Sequence, residues 1–143
     1  LCEERYDDSV LILVKHIEHG MLLEKMIPNS KYVYGNTNSK ERTTALDDFK
    51  NKDLKVLIST ISIFAEGVDI PTLDVVINAA ANIGDIKSIQ VLGRVLRVSE
   101  GKESATYYDF YDEGVFFGKA RAYRIMALKR EGHEVLYKKE DLF

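Results

Sequence analysis

The chain has 143 residues, 45% of them hydrophobic and 30% charged, with a formal net charge of −3 and one cysteine. That length and composition suit one globular domain whose core needs neither disulfides nor metal, and a lone Cys2 fits a reducing compartment, cytoplasmic or nucleoid-associated. No apolar run approaches the length of a membrane span and no charged-then-apolar leader opens the chain; the mild acidity argues against a broad basic face but leaves room for a narrow nucleic-acid track.

Residues 1–8 (LCEERYDD) are polar, lack a period and read as the tail of a linker from a preceding domain. Ser9–Val14 (SVLILV) is a continuous apolar run, as expected of a parallel strand covered on both faces. A helix follows over Lys15–Ile27, with Ile17, Met21, Leu22, Leu23 and Met26 as its apolar positions and Pro28 as its stop. His16 and His19 share a helical face but lack further ligands at a plausible spacing, so no metal site is expected. Lys31–Tyr34 reads as the next strand, and Gly35, Asn36, Thr37 and Asn38 as a turn. Ser39 is the expected N-cap of a helix over Lys40–Lys50, with Leu46 and Phe49 buried; Arg42 stands where a complete capping box would carry an acid.

A strand over Lys55–Ser59 (KVLIS) runs into Thr60 and then into Ala65-Glu66-Gly67-Val68-Asp69-Ile70-Pro71. Gly67 can take a positive φ at little cost, and Pro71 biases Ile70 to an extended path, so the loop has a tight, defined course. It lies at the carboxyl end of a parallel strand, where open α/β sheets bind ligands. The strand Asp74–Asn78 (DVVIN) follows, then a small-residue connection over Ala79–Lys87.

The helix expected over Ile86–Val98 holds Gln90, Gly93, Arg94 and Arg97, spaced Q-x-x-G-R-x-x-R. At about 100° per residue, Gln90, Arg94 and Arg97 fall within roughly 60° of one another. Val91, Leu92, Val95, Leu96 and Val98 cover the opposite, core-facing side. Two guanidiniums and an amide in one row suit a polyphosphate, which arginine grips bidentately. Taken alone, the same arginines also fit the solvated face of an amphipathic helix.

After a turn at Glu100-Gly101-Lys102, Ser104–Tyr111 (SATYYDFY) reads as the last core strand. Val115–Glu131 is expected to be helical, with Phe116, Phe117, Ala120, Tyr123, Ala127 and Leu128 on the apolar side and Gly132 as C-cap. Lys119, Arg121, Arg124, Lys129 and Arg130 make this helix basic, which fits a solvated face or a phosphate contact. Glu134–Lys138 reads as a short edge strand. No internal repeat or low-complexity segment occurs.

The order of strand, Thr60, Gly67-x-Asp69-Ile70-Pro71, strand and Gln90-x-x-Gly93-Arg94-x-x-Arg97 resembles motifs V and VI of superfamily 2 helicases and translocases. In those proteins the two motifs belong to the second of two RecA-like domains. The helix ending in Gly132 and the strand after it also resemble the close of this domain in the XPB-like and phage recombination-helicase branch. The resemblance implies a three-layer RecA-like α/β/α fold with a mainly parallel sheet, residues 1–143 forming the helicase C-terminal domain. It implies ATP and Mg²⁺ as cofactors, the Mg²⁺ held mainly by an amino-terminal RecA-like domain that this chain does not contain.

The same resemblance assigns roles residue by residue. Arg94 and Arg97 would act as arginine fingers on the γ-phosphate, and Gln90 would place the phosphate or the attacking water. Gly67 and Asp69 match positions that meet the ribose, and Thr60 matches a hydroxyl bonded to the nucleic-acid backbone. Asn36, Thr37 and Arg42 lie in a loop and helix start that often touch that backbone, although turn and cap chemistry accounts for them as well. Glu66 stands where many relatives carry arginine, so that contact is not carried over. His16 and His19 fall where the family's motif IV lies, and no catalytic role is transferred to them.

No G-x-x-x-x-G-K-[ST] loop is present, and Asp112-Glu113 lacks the context of a Walker B acid pair. Without a phosphate-cradling loop and a magnesium carboxylate, the chain is not expected to hydrolyse ATP alone. The reading is therefore half of an ATP-dependent helicase, an ATP-binding ATP hydrolase that binds nucleic acid, DNA in preference to RNA. Two other readings remain: a RecA-like module that docks a partner without catalysis, and a Rossmann-like enzyme using Asp69 as an acid. The second lacks a G-x-G-x-x-G fingerprint.

Overall fold

A computed structural model of the chain describes residues 8–65, 70, 73–80, 105–110, 115–130 and 132–134. Five strands form one parallel sheet: β1 (Val10–Val14), β2 (Ser30–Val33), β3 (Val56–Thr60), β4 (Val75–Asn78) and β5 (Thr106–Asp109), in the order β2-β3-β1-β4-β5. The first strand in sequence is the central one. Its register pairs Val10 with Val56 on one side and with Val75 on the other. All five residues of β1 are buried, and so are all four of β4, which is why β1 and the first three residues of β4 read as continuous apolar runs rather than alternating ones.

Among the described residues the helices are α1 (Ile17–Met26), α2 (Ser39–Lys50), α3 (Ile61–Ala65) and α4 (Val115–Arg130). Alternate residues of each strand enter opposite cores. Leu11, Leu13, Leu57 and Val76 pack with Phe49 and Ala45 of α2, Ile63 of α3 and Leu128 of α4. Val10, Ile12, Val14, Ile58, Val75 and Ile77 pack on the other face with Tyr32 and with Leu23 of α1. Ile70 and Leu73 both turn into the first of these cores. The expected three-layer α/β/α architecture with a parallel sheet is therefore present.

Local details differ from the sequence reading in three places. The N-cap of α2 is Asn38, one residue before the expected Ser39; its Oδ1 accepts from Glu41 N–H at 2.8 Å. Asn38 Nδ2 in turn donates to Glu41 Oε2 at 3.5 Å. Helix α1 is shorter than expected and presents most of its apolar residues outward: Ile17, Met21, Leu22 and Met26 are exposed, whereas Leu23 packs on the sheet. Gly20 is the buried residue of that helix, and a Cβ there would stand 2.3 Å from Tyr32 Cζ, so the helix can lie this close only over a glycine. In α4, Leu128 is buried as expected but Tyr123 is exposed and Arg124 is buried in its place, at 2% exposure.

The expected C-cap holds. Gly132 has φ +88°, its N–H donates to Lys129 O at 3.1 Å, and His133 N–H donates to Leu128 O at 3.1 Å, the paired bonds of a Schellman motif. The helix expected over Ile86–Val98 and all of the expected Glu134–Lys138 edge strand except Glu134 lie outside the described residues.

Candidate functional site

Because every strand runs the same way, the carboxyl ends of all five lie along one edge. In sheet order that edge carries the Tyr34–Thr37 turn after β2, Thr60 and Ser62 at β3, Lys15 and His16 at β1, Asn78 at β4 and Asp109 at β5. The chain leaves β1 toward the β2 side and leaves β4 toward β5. Such a divergence is where open α/β sheets place their ligands.

The β2 turn is built by its own polar groups. Thr37 N–H donates to Tyr34 O at 2.9 Å, and Tyr34 N–H donates to Thr37 Oγ1 at 3.0 Å. Arg42 reaches back from the first turn of α2, donating from Nη2 to Gly35 O at 3.2 Å and to Thr37 O at 3.4 Å. Arg42 therefore holds the shape of this loop as well as lending it positive charge. Asn36 is exposed at its tip and Thr37 is half-buried. Since Val33 pairs with Ser59, this turn is the lateral neighbour of Thr60. Thr60 is the last residue of β3, opposite Val14 of β1, and its Oγ1 lies 3.1 Å from Ser62 Oγ.

The structure thus brings Asn36, Thr37, Arg42 and Thr60 to one edge. Gly67, Asp69, Gln90, Arg94 and Arg97 lie outside the described residues. His16 is the exposed N-cap position of α1 and makes no side-chain cap, and His19 is half-buried on the same helix.

At the β4–β5 end of the edge stands a polar cluster that the sequence reading missed. Asn78 is 1% exposed; its Nδ2 donates to Asp109 Oδ1 at 3.1 Å and its Oδ1 accepts from Ala80 N–H at 3.1 Å. Asp109 Oδ2 accepts from Arg124 Nε at 2.8 Å. Tyr107 lies on the same face, and burial first, then the Asp109 carboxylate, pushes its hydroxyl well above the ordinary tyrosine range, with Arg124 and Asn78 opposing. The signal available in the sequence was slight. A polar residue closes each of two apolar strands, and Arg124 lies one helical turn before the core residue Leu128.

Hydroxyls, amides and backbone groups with the Arg42 guanidinium beside them suit a phosphodiester backbone rather than acid–base chemistry. The carboxylate at the end of β5 is committed to Arg124 and Asn78. Among the described residues, this edge therefore fits a phosphate-facing surface better than a magnesium site.

A parallel five-stranded sheet with this order and a hydroxyl-lined carboxyl edge defines a RecA-like domain of the kind found in superfamily 2 helicases. Residues 1–99 match the helicase conserved C-terminal domain family, and the chain belongs to that family. It is 32% identical over 108 residues to the putative mitochondrial ATP-dependent helicase irc3 of Schizosaccharomyces pombe, covering 73% of this chain and 18% of that protein. It is 26% identical over 110 residues to the ATP-dependent DNA helicase uvsW of phage T4, covering 74% of this chain and 22% of that one. The crystal structure of T4 UvsW superposes with a TM-score of 0.64 at 20% identity, over 89% of this chain and 30% of that chain. Saccharomyces cerevisiae Dbp5 bound to RNA and ADP BeF3 superposes with a TM-score of 0.63 at 22% identity, over 87% and 32% respectively. The chain spans about a fifth of the length of the curated relatives it matches.

Proposed function

We propose that this chain is the second motor domain of an ATP-dependent nucleic-acid helicase or translocase, completed by an amino-terminal RecA-like domain of a longer protein. The observation that supports this most directly is the convergence at the carboxyl edge of the β2 turn and the end of β3. These segments are distant in sequence and adjacent in space. The residues carrying Gly67 and Asp69, and those carrying Gln90, Arg94 and Arg97, follow in the chain from β3 and β4.

In this reading Thr60, Asn36, Thr37 and Arg42 hold the backbone of one strand, which is DNA in preference to RNA, as in the relative named a DNA helicase. Arg94 and Arg97 stabilise charge on the γ-phosphate of ATP bound to the partner domain, Gln90 places the phosphate or water, and Gly67 and Asp69 meet the ribose. Magnesium, held by the partner domain when bound, neutralises phosphate charge. Arginines that meet the γ-phosphate only while it is present favour a closed cleft before hydrolysis and an open one after it. Thr60 shares a continuous segment with Gly67 and Asp69, so closure shifts the grip on the strand and yields a step. The protein is expected to be cytoplasmic or nucleoid-associated, where such substrates lie.

Replacing Arg97 by Ala in the full-length protein tests the assignment. Nucleic-acid-stimulated ATP hydrolysis should fall by about 10³- to 10⁵-fold, the range of other arginine fingers. Turnover close to that of the unaltered protein would remove Arg97 from the reaction.

A further inference from the structure

We propose that Asn78, Asp109 and Arg124 are positioning residues for hydrolysis, a buried polar relay that fixes the path by which the chain leaves β4 toward Gln90, Arg94 and Arg97. The proposal rests on the helicase reading above and adds residues that touch neither nucleotide nor nucleic acid in it.

Three segments meet in the relay: the end of β4, the end of β5 and the middle of α4. Arg124 and Asn78 both donate to the Asp109 carboxylate, one to each oxygen. A carboxylate that draws on the Asn78 amide nitrogen polarises that amide and makes its oxygen a better acceptor. That oxygen receives the Ala80 N–H at 3.1 Å. The preceding peptide is held too, since Ala79 N–H donates to Leu13 O of the central strand at 2.8 Å. Two successive peptide groups just beyond β4 are therefore fixed, one by the sheet and one by the relay.

Stability alone does not account for this arrangement. Desolvating an arginine and a carboxylate offsets much of their attraction, and an apolar pair of similar volume is often as stable. Arg124 side chain is 3% exposed and that of Asp109 18%, so the desolvation is substantial. The pair also sits at the ligand-binding edge of the sheet rather than at its amino edge. A polar cluster joined by directional hydrogen bonds in that position specifies one geometry where apolar packing would tolerate several.

The test separates geometry from stability. In the full-length protein, Asn78→Leu removes both bonds of the amide, and the paired change Asp109→Leu with Arg124→Met replaces the ion pair by apolar packing. For each, kcat and KM for ATP are measured at saturating nucleic acid beside the thermal midpoint. The relay predicts a kcat lowered by about 10- to 100-fold, as for misplaced catalytic groups, with KM within about twofold. It predicts this in the paired variant even where the thermal midpoint is unchanged. Full kcat in the folded paired variant would overturn the proposal, whatever becomes of Asn78→Leu. Arg97→Ala, assayed in parallel, keeps the two readings apart: its loss of turnover with full activity in the relay variants sinks the relay only. Its full activity would sink the arginine-finger reading instead.

Discussion

At the scale of single residues, two positions carry constraints out of proportion to their size. Gly20 is tolerated in the middle of α1, where glycine costs roughly 1 kcal/mol relative to alanine, because it lets the helix rest on the Tyr32 ring. That ring has little freedom to move: it is 3% exposed and stacked on Tyr34 with ring centroids 5.0 Å apart. Gly20→Ala is expected to destabilise the domain by about 1–3 kcal/mol through overpacking, measured by chemical denaturation. In a Tyr32→Ala background the same change should cost far less, since its clash partner is gone. Asn78 is the other position. It occupies the last place of an otherwise apolar strand, and no pattern of hydrophobicity marks its side chain as the link between a backbone amide and a carboxylate on the neighbouring strand.

At the scale of elements, helix ends decide how the loops at the carboxyl edge are held. Asn38 closes α2 by accepting Glu41 N–H, and the same short stretch carries Thr37 and Arg42. Asn38→Ala should lower stability by about 1 kcal/mol, read as a shift in denaturant midpoint without a change in slope. Much at this scale was legible in the sequence. Short apolar runs bounded by turn residues located β1 to β4, and Gly132 located the end of α4, because both signals are local in the chain. The face that α1 buries was not legible for a physical reason. Leu23 packs on the side where Gly20 meets the sheet, but Ile17, Met21, Leu22 and Met26 are exposed, so the apolar pattern alone does not mark that face. Arg124 was read as solvated because an arginine becomes a core residue only once its carboxylate is known, and Asp109 lies on a separate element.

At the scale of the whole molecule, the carboxyl edge was legible as an edge but not as a geometry. Thr60 and the Asn36–Thr37–Arg42 stretch could be named from motifs, whereas their adjacency follows from β2 pairing with β3, a non-local fact. Buried tyrosines are expected to contribute to the pH dependence of global stability. Burial holds Tyr107 above its ordinary range, and burial followed by Tyr34 does the same for Tyr32. A raised folded-state value favours the un-ionised ring, so this contribution is complete below about pH 10, where an unfolded tyrosine titrates, and is lost as pH rises further. The drop in denaturant midpoint between about pH 8 and pH 11 should therefore be smaller in Tyr107→Phe than in the unaltered protein. An equal drop in both would show that the ring makes no such contribution.

The central position of the first strand carries a cost in time. β1 is made early, yet its lateral partners are Val56–Thr60 and Val75–Asn78, which emerge from the ribosome much later. Until then its five apolar side chains and its backbone amides have no native neighbours, and closing such long loops is slow. A nascent chain stalled before β4 would expose an adhesive, two-sided strand, so synthesis of this domain should depend on chaperone shielding until Asn78 has cleared the exit tunnel.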